Sequence, residues 1–164
     1  MSQLVALSLS IGVLGGVLTW LYLAVGLSVW AGFIAWACFF SCGGDTNALK
    51  QTIIGNIFGS LMAWIAAFLL LSTPTPAPVA VGVTVLVMCL AAHLKPLSSI
   101  PASVYGYAST FAYLLQTAQA MAIAELTAVD FHRNAMLLIA ASMIGGAIFG
   151  FASGKVAGML TKKA

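Results

Sequence analysis

Long apolar runs separated by short polar interruptions make up most of the chain. The runs cover residues 4–25, 28–42, 49–72, 78–94, 99–120 and 134–160. Most of them approach the roughly 20 residues that an α-helix needs to cross the hydrocarbon core of a bilayer. The pattern therefore predicts an all-α membrane protein with six transmembrane helices.

A proline-rich interruption divides the six predicted helices into two groups of three. Residues 72–78 read Ser-Thr-Pro-Thr-Pro-Ala-Pro, a stretch that cannot continue a helix. We predict a single transmembrane domain over residues 1–164, with a first half over about 1–72, a connector over 73–78 and a second half over about 78–164. Because each half has an odd number of spans, two related halves would have opposite orientations in the membrane.

A weak internal similarity favours two inverted three-helix halves. Residues 28–40 align with residues 99–111 at an offset of 71, with Ser, Ala, Ala and Phe in common. The pattern Gly55-xxx-Gly59 resembles Gly146-xxx-Gly150 at an offset of 91. The fold prediction is therefore six transmembrane helices arranged as two inverted three-helix halves.

The amino-acid composition makes the bilayer the solvent for nearly the whole chain. Hydrophobic residues account for 62% of the sequence and charged residues for 5%, whereas about a quarter of the residues in soluble domains are charged. This composition excludes a soluble globular domain and a disordered chain. The net charge of +3 is too small for a protein that must neutralise phosphates. We therefore expect the lipid bilayer as the main partner and no nucleic acid.

The few charged residues are unevenly distributed between the predicted connections. The connections on one side carry basic residues, namely Lys50, Lys95, Lys162 and Lys163. The other side carries Arg133 together with Glu125 and Asp130. Because cytoplasmic loops are enriched in Lys and Arg, this distribution predicts that the N- and C-termini both face the cytoplasm. The first apolar run lacks a preceding basic region, so we interpret it as a span and not as a cleaved signal.

The second predicted helix is too short to cross the bilayer, which makes it and its counterpart, the fifth, candidate pore or binding elements. The stretch from Ser28 to Ser41 would extend only about 21 Å as a helix, against a hydrocarbon core of about 30 Å. Irregular backbone must complete the crossing, and it survives at membrane depth only beside protein or a water-filled cavity. Ser28 and Ser99 are placed to cap the first amide groups of the two helices, and Pro101 suits a first turn.

Aromatic and hydroxyl side chains in these two helices, with one amide in the third, are the candidate pore or solute-binding residues. They are Trp30, Phe33, Phe40, Asn56, Tyr105, Tyr107, Ser109, Thr110 and Phe111. The rings would wall a passage, and the polar groups would hydrogen-bond a solute. The alternative is structural, because Trp and Tyr also form belts at the membrane interfaces and a buried amide also joins helices.

Glycines recur at four-residue spacing in three of the predicted helices. The predicted helix-packing positions are Gly12, Gly16, Gly55, Gly59, Gly146, Gly150, Gly154 and Gly158. Such stripes let a neighbouring helix approach the backbone closely, either within a bundle or between subunits. They favour a compact bundle that forms a homo-oligomer.

The sequence lacks the common catalytic motifs, and its two His and three acidic residues offer little acid–base chemistry. Cys38 and Cys42 share a helix face but have no third metal ligand close by in sequence. An active transporter would need Asp45, His93 or Glu125 deep in the bundle, whereas the predicted spans place them near the ends. We therefore expect no enzyme activity, no cofactor and no metal site.

Three short stretches carry a resemblance to a known family. They are Trp30-Ala-Gly-Phe33, Ala37-Cys-Phe-Phe-Ser-Cys42 and Ile100-Pro-Ala-Ser-Val-Tyr-Gly-Tyr-Ala-Ser-Thr-Phe-Ala112. On these motifs the chain resembles the YcdZ-like family of small bacterial inner-membrane proteins of unknown function. The resemblance implies a multi-span protein of the bacterial inner membrane, and it supplies no catalytic or binding residues.

Two functions from different classes are compatible with these features. The inverted pairing, the short second helix and the absence of charge within the spans favour a channel or facilitator for a small polar or neutral solute. The alternative is a non-transporting membrane scaffold or accessory subunit, whose glycine stripes would bind partner helices.

Overall fold

The computed structural model of the protein describes residues 1–161, which form helices joined by short connections. The helices are α1 (Gln3–Val25), α2 (Val29–Ser41), α3 (Thr46–Ser72), α4 (Ala77–Leu90), α5 (Ile100–Gln116), α6 (Ile123–Leu126) and α7 (Ala135–Leu160). Two turns of 3-10 helix, Ala91–His93 and Lys95–Leu97, follow α4. No strand occurs within residues 1–161, which confirms the predicted all-α fold.

The helices follow the predicted apolar runs, with two differences at their ends and one addition. α4 ends before the predicted limit because the chain tightens into a 3-10 turn over Ala91–His93 and is extended at Leu94, and Pro96, which lacks an N–H group, could not continue the helix. α5 ends at Gln116, where Thr117 is extended. The short helix α6 lies inside the polar segment for which no helix was predicted.

Helix length separates the bundle into two groups. α1, α3 and α7 are long and apolar enough to cross a membrane, whereas residues 29–41 and 77–93 form shorter apolar helices. At 1.5 Å per residue, α2 extends only about 20 Å. As a helix, α2 is therefore shorter than a hydrocarbon core of about 30 Å.

Side chains fix the starts of the three long helices. The Ser2 hydroxyl, the Asp45 carboxylate and the Asn134 side-chain oxygen accept backbone N–H groups in the first turns of α1, α3 and α7. These bonds satisfy amide groups that have no partner within a helix. The polar connections that carry these caps therefore determine where each long helix begins.

Ser28 and Ser99 precede the short helices α2 and α5, but neither side chain makes a capping hydrogen bond. The N–H of Ser28 donates to the Oγ of Ser142 on α7 at 3.0 Å. The hydroxyl of Ser99 lies 3.4 Å from the Sγ of Cys42. The predicted serine caps are therefore wrong, because contacts between helices occupy these two positions.

α3 and α7 form the centre of the bundle and run antiparallel to each other. Besides each other, α3 packs against α5 and α4, and α7 packs against α2 and α1. α1 and α4 lie outermost, and their outward faces carry large apolar side chains such as Trp20, which is 71% exposed, and Leu86, which is 58% exposed. These faces suit contact with lipid, since water would not solvate them.

The bundle has two ends that differ in charge. At one end the connection between α2 and α3 meets the start of α5, where Nε2 of Gln51 lies 3.4 Å from the hydroxyl of Ser98. At the other end the His132 ring lies against Gly26, which follows α1. We call the first the lysine end, because it holds Lys50, Lys95 and Lys155, and the second the arginine end, because it holds Arg133. Lys162 and Lys163, also predicted on the lysine side, lie outside the described residues.

Candidate functional site

Glycines bring the backbones of α3 and α5 into direct contact. A Cβ atom at Gly59 would overlap the Ser103 carbonyl group, and a Cβ atom at Gly106 would overlap the backbone of Asn56. A Cβ atom at Gly55 would lie 2.6 Å from the Cβ of Ala102. The close approach buries the polar side chains that lie within the interface.

Four polar residues in α3 and α5 are buried without a hydrogen-bond partner. They are Thr52, Asn56, Ser103 and Ser109, and we call them the polar cluster. Both polar atoms of the Asn56 amide and all three hydroxyl oxygens lack a partner within residues 1–161. Each of these side chains is at most 1% exposed. The buried thiol of Cys38 on α2 lies beside Thr52 and closes the third side.

The polar cluster is energetically costly for the folded chain. An unsatisfied buried polar group costs about 1–3 kcal/mol, and most such groups in folded proteins find a partner. An amide or hydroxyl within a membrane-embedded helix either joins helices by hydrogen bonds or marks a functional position, and the atoms of this cluster make no such bonds between helices. The cluster carries no charge, and the Asn56 amide can both donate and accept hydrogen bonds. Its chemistry suits a neutral polar molecule or water.

Three other predicted site residues have their polar groups or rings engaged elsewhere. The hydroxyl groups of Tyr107 and Thr84 lie 2.9 Å apart and join α5 to α4. The Thr110 hydroxyl donates to the Gly106 carbonyl of its own helix at 3.0 Å. The Phe111 ring packs on the Tyr107 ring with centroids 5.1 Å apart. These residues therefore contribute to helix packing.

The structure does not bring the remaining predicted aromatic residues together at one constriction. Trp30 and Phe33 lie on the outward face of α2, and Tyr105 lies on that of α5, with exposures of 38%, 40% and 37%. The inward face of α2 carries Trp36 and Phe39 instead of these two rings, and that of α5 carries Tyr107. Phe40 packs on Phe39 at the lysine end, with ring centroids 5.1 Å apart.

The predicted packing glycines fall into two groups in the structure. Besides Gly55 and Gly59, the inward group contains Gly146, whose added Cβ would overlap the backbone of Gly32, and Gly150, which faces Trp36 and Phe39 at 3.0 Å. Gly154 only reaches Phe40 at 4.0 Å. The outward group is Gly12, Gly16 and Gly158, which have no neighbour within 4 Å among residues 1–161.

A polar pocket of about 270 Å³ lies at the arginine end, beyond the last turns of α5. Its polar lining includes Tyr113, Thr117, Gln119, Glu125, His132 and Arg133. Nε of Arg133 donates to a Glu125 carboxylate oxygen at 3.0 Å. This hydrogen bond lowers the pKa of Glu125 and raises that of Arg133, so both groups are charged at neutral pH. Glu125 and Arg133 therefore form an ion pair at the arginine end.

The polar cluster lies between this pocket and the lysine end. Tyr113 in the pocket wall follows Ser109 by one helical turn on α5. Toward the lysine end, Thr52 is followed by the contacts of Gln51 with Ser98 and of Cys42 with Ser99. Polar residues therefore occur at intervals along α3 and α5 between the two ends of the bundle.

No group of three or more His, Cys, Asp or Glu residues lies close enough to hold a metal ion within residues 1–161. The three cysteines are free thiols, with Cys38 buried and Cys42 and Cys89 half-buried. The site therefore offers amide and hydroxyl groups, and one thiol, for any ligand.

Sequence reasoning selected Asn56 and Ser109 but missed Thr52 and Ser103. A signal for Thr52 is present, since Thr52, Asn56 and Ser60 recur at four-residue spacing and share one face of α3. For Ser103 no comparable pattern exists, because its burial depends on contact with Gly59 of another helix.

Apolar helices around a buried, uncharged polar centre define this molecule as a helical membrane protein. The sequence profile described as "Protein of unknown function (DUF1097)" matches residues 8–158, so the chain belongs to this family. It is similar to "Inner membrane protein YcdZ" of Escherichia coli (strain K12), with 26% identity over 116 residues that cover 68% of this chain and 71% of the relative. No solved structure matches the chain. The family resemblance seen in the sequence motifs is thereby confirmed.

Proposed function

We propose that this protein crosses the bacterial inner membrane six times and lets a small neutral polar solute pass through the polar cluster. The observation that carries the proposal is the set of buried, unpartnered polar atoms on Thr52, Asn56, Ser103 and Ser109. In a dry bundle these atoms would only destabilise the fold. A passing solute, or the water that accompanies it, would satisfy them.

The directions of the helices support six crossings. Successive long and short helices run alternately between the lysine end and the arginine end, and only α6 lies wholly within a connection. The lysines described within residues 1–161 gather at one end, which by the positive-inside rule would face the cytoplasm. The N-terminus and the end of α7 lie on that side.

Matching contacts support two inverted halves. Gly55 and Gly59 of α3 lie on α5, as Gly146 and Gly150 of α7 lie on α2. Thus α3 of the first half packs against α5 of the second half, and α7 of the second half packs against α2 of the first half. The contact of Gln51 with Ser98 has a counterpart in that of Ser142 with Ser28. These pairs follow the same offsets of 91 and about 71 that relate the two halves in sequence.

The chemical groups along the proposed solute path, which follows the polar residues of α3 and α5 between the two ends, favour a neutral solute and passive movement. The charged groups Glu125 and Arg133 pair with each other at the arginine end, and Asp45 caps α3 at the lysine end. Between them the path offers only hydroxyl, amide and thiol groups. Since no carboxylate lies at its centre within residues 1–161, the path has no group suited to carry a coupling proton.

Stopped-flow light scattering on proteoliposomes tests this proposal. Vesicles with the wild-type protein are challenged with urea, glycerol, formamide or ammonium, beside protein-free vesicles. Asn56→Leu removes the amide at similar size, and we expect it to abolish the accelerated response to the transported solute. The matched control is Ser153→Ala, a buried serine that accepts a hydrogen bond from Trp36 and lies against α1 and α2. Equal loss in both variants, or no acceleration for any solute, would contradict the proposal.

A second candidate function is a scaffold that binds partner helices. The observation that favours it is an open groove of about 630 Å³ on α1, lined by Gly12, Gly16, Thr19 and Phe33. A partner helix, or a second copy of the chain, could approach the backbone there. Cross-linking from a cysteine introduced at Gly12, in membranes of the native host, would report such a partner.

A further inference from the structure

An apolar groove of about 530 Å³ runs along the outside of the bundle near the lysine end. Its walls are formed by Ile54, Phe58 and Leu61 of α3 and by Leu94, Pro96 and Leu97 of the segment after α4. The groove exists because α4 ends at Leu90 and the chain then turns away in two 3-10 turns. A stretch of α3 is thereby left without a helix beside it.

Two lysines lie at one end of this groove. Lys50 precedes Ile54 by one turn on the same face of α3, and Lys95 stands between two residues that line the groove. The Gln51 to Ser98 contact joins the two walls at this end. Both lysines are exposed, and neither forms an ion pair with a carboxylate within residues 1–161. The groove is therefore apolar along its length and positively charged at one end.

We propose that this groove binds one anionic phospholipid. An acyl chain would lie along α3 against Ile54 and Phe58, and the headgroup phosphate would lie between the amines of Lys50 and Lys95. Lysine side chains near the ends of membrane helices extend to the headgroup level, where they attract anionic lipids. The site is separate from the polar cluster, so this inference does not depend on transport.

Native mass spectrometry of the detergent-purified protein tests the proposal. The protein is titrated with phosphatidylglycerol or with phosphatidylcholine of the same acyl chains. We expect several-fold more bound phosphatidylglycerol, and we expect Lys50→Gln/Lys95→Gln to remove this preference. Leu61→Trp fills the groove and should reduce binding of both lipids. The control is Lys155→Gln, an exposed lysine at the same end that lies over the Phe151 ring and outside the groove.

The outcomes separate the possible sources of binding. Loss of the preference only in the double variant, with the control unchanged, supports the site. Equal loss in the control would mean general attraction to the lysine end and would overturn the proposal. An excess of glycerol phosphate is added as a third arm. If this water-soluble phosphate displaced the lipid completely, the groove would contribute nothing and the proposal would also fail.

Discussion

Replacing Thr52 by Val tests whether the polar cluster lacks hydrogen-bond partners in the folded chain. Valine has nearly the shape of threonine, so the substitution removes a hydroxyl group with little change in packing. Thr52 is fully buried, and its hydroxyl has no hydrogen-bond partner within residues 1–161 apart from the adjacent Cys38 thiol, which is a weak acceptor. Because an unsatisfied buried polar group costs about 1–3 kcal/mol, its removal should raise the free energy of unfolding by about 1 kcal/mol or more.

The same chemical change at Thr84 supplies a control of opposite sign. Thr84 is also buried, but its hydroxyl lies 2.9 Å from the Tyr107 hydroxyl and donates to Ala80 O. Thr84→Val leaves the Tyr107 hydroxyl without its partner, so the free energy of unfolding should fall by about 1–3 kcal/mol. Thermal unfolding in detergent measures both, since about 1 kcal/mol corresponds to roughly 2–4 °C in Tm at this chain length. A decrease for Thr52→Val equal to that for Thr84→Val would refute the reasoning.

Two further predictions concern packing and charge. Gly59→Ala should lower the free energy of unfolding by about 1–3 kcal/mol or more, because its Cβ would overlap the α5 backbone. The control Gly82→Ala has open space around it and should be neutral or stabilising by up to about 1 kcal/mol. Equal effects of the two variants in thermal unfolding would contradict this prediction. The Arg133 hydrogen bond lowers the pKa of Glu125, so the pair's stabilisation is complete above the ordinary glutamate pKa of about 4.3 and is lost as pH falls through the lower, folded-state value. The difference in Tm between wild type and Glu125→Gln should therefore be constant near neutral pH and vanish in acid; a difference independent of pH would oppose the assignment.

The helices were predictable from sequence because apolar length alone determines most of them. Two of the long helices begin directly after Asp45 and Asn134, whose side chains cap the first turn. α6 could not be predicted, since a single turn over Ile123–Leu126 has no periodic signal. The serine caps at Ser28 and Ser99 failed for a different reason: local sequence does not show that another helix will contact those residues.

The candidate site was predictable only in part, because neighbouring helices determine which face of each helix points inward. α2 is apolar on all sides, so its sequence does not distinguish the inward face from the outward face that carries Trp30 and Phe33. Asn56 was identified because an amide within an apolar run is unusual on its own. Ser103 was missed because its burial depends on contact with Gly59 of α3, which the sequence of α5 does not show.

The pairing of α7 with α1 and α2 has a consequence for how the protein is made. α7 is synthesised after α1 and α2, yet Gly146 lies on the backbone of Gly32 and Ser153 accepts the indole N–H of Trp36. When α1 and α2 leave the ribosome, the helix that buries them does not yet exist. The packing of α1 and α2 is therefore completed only after α7 has been synthesised.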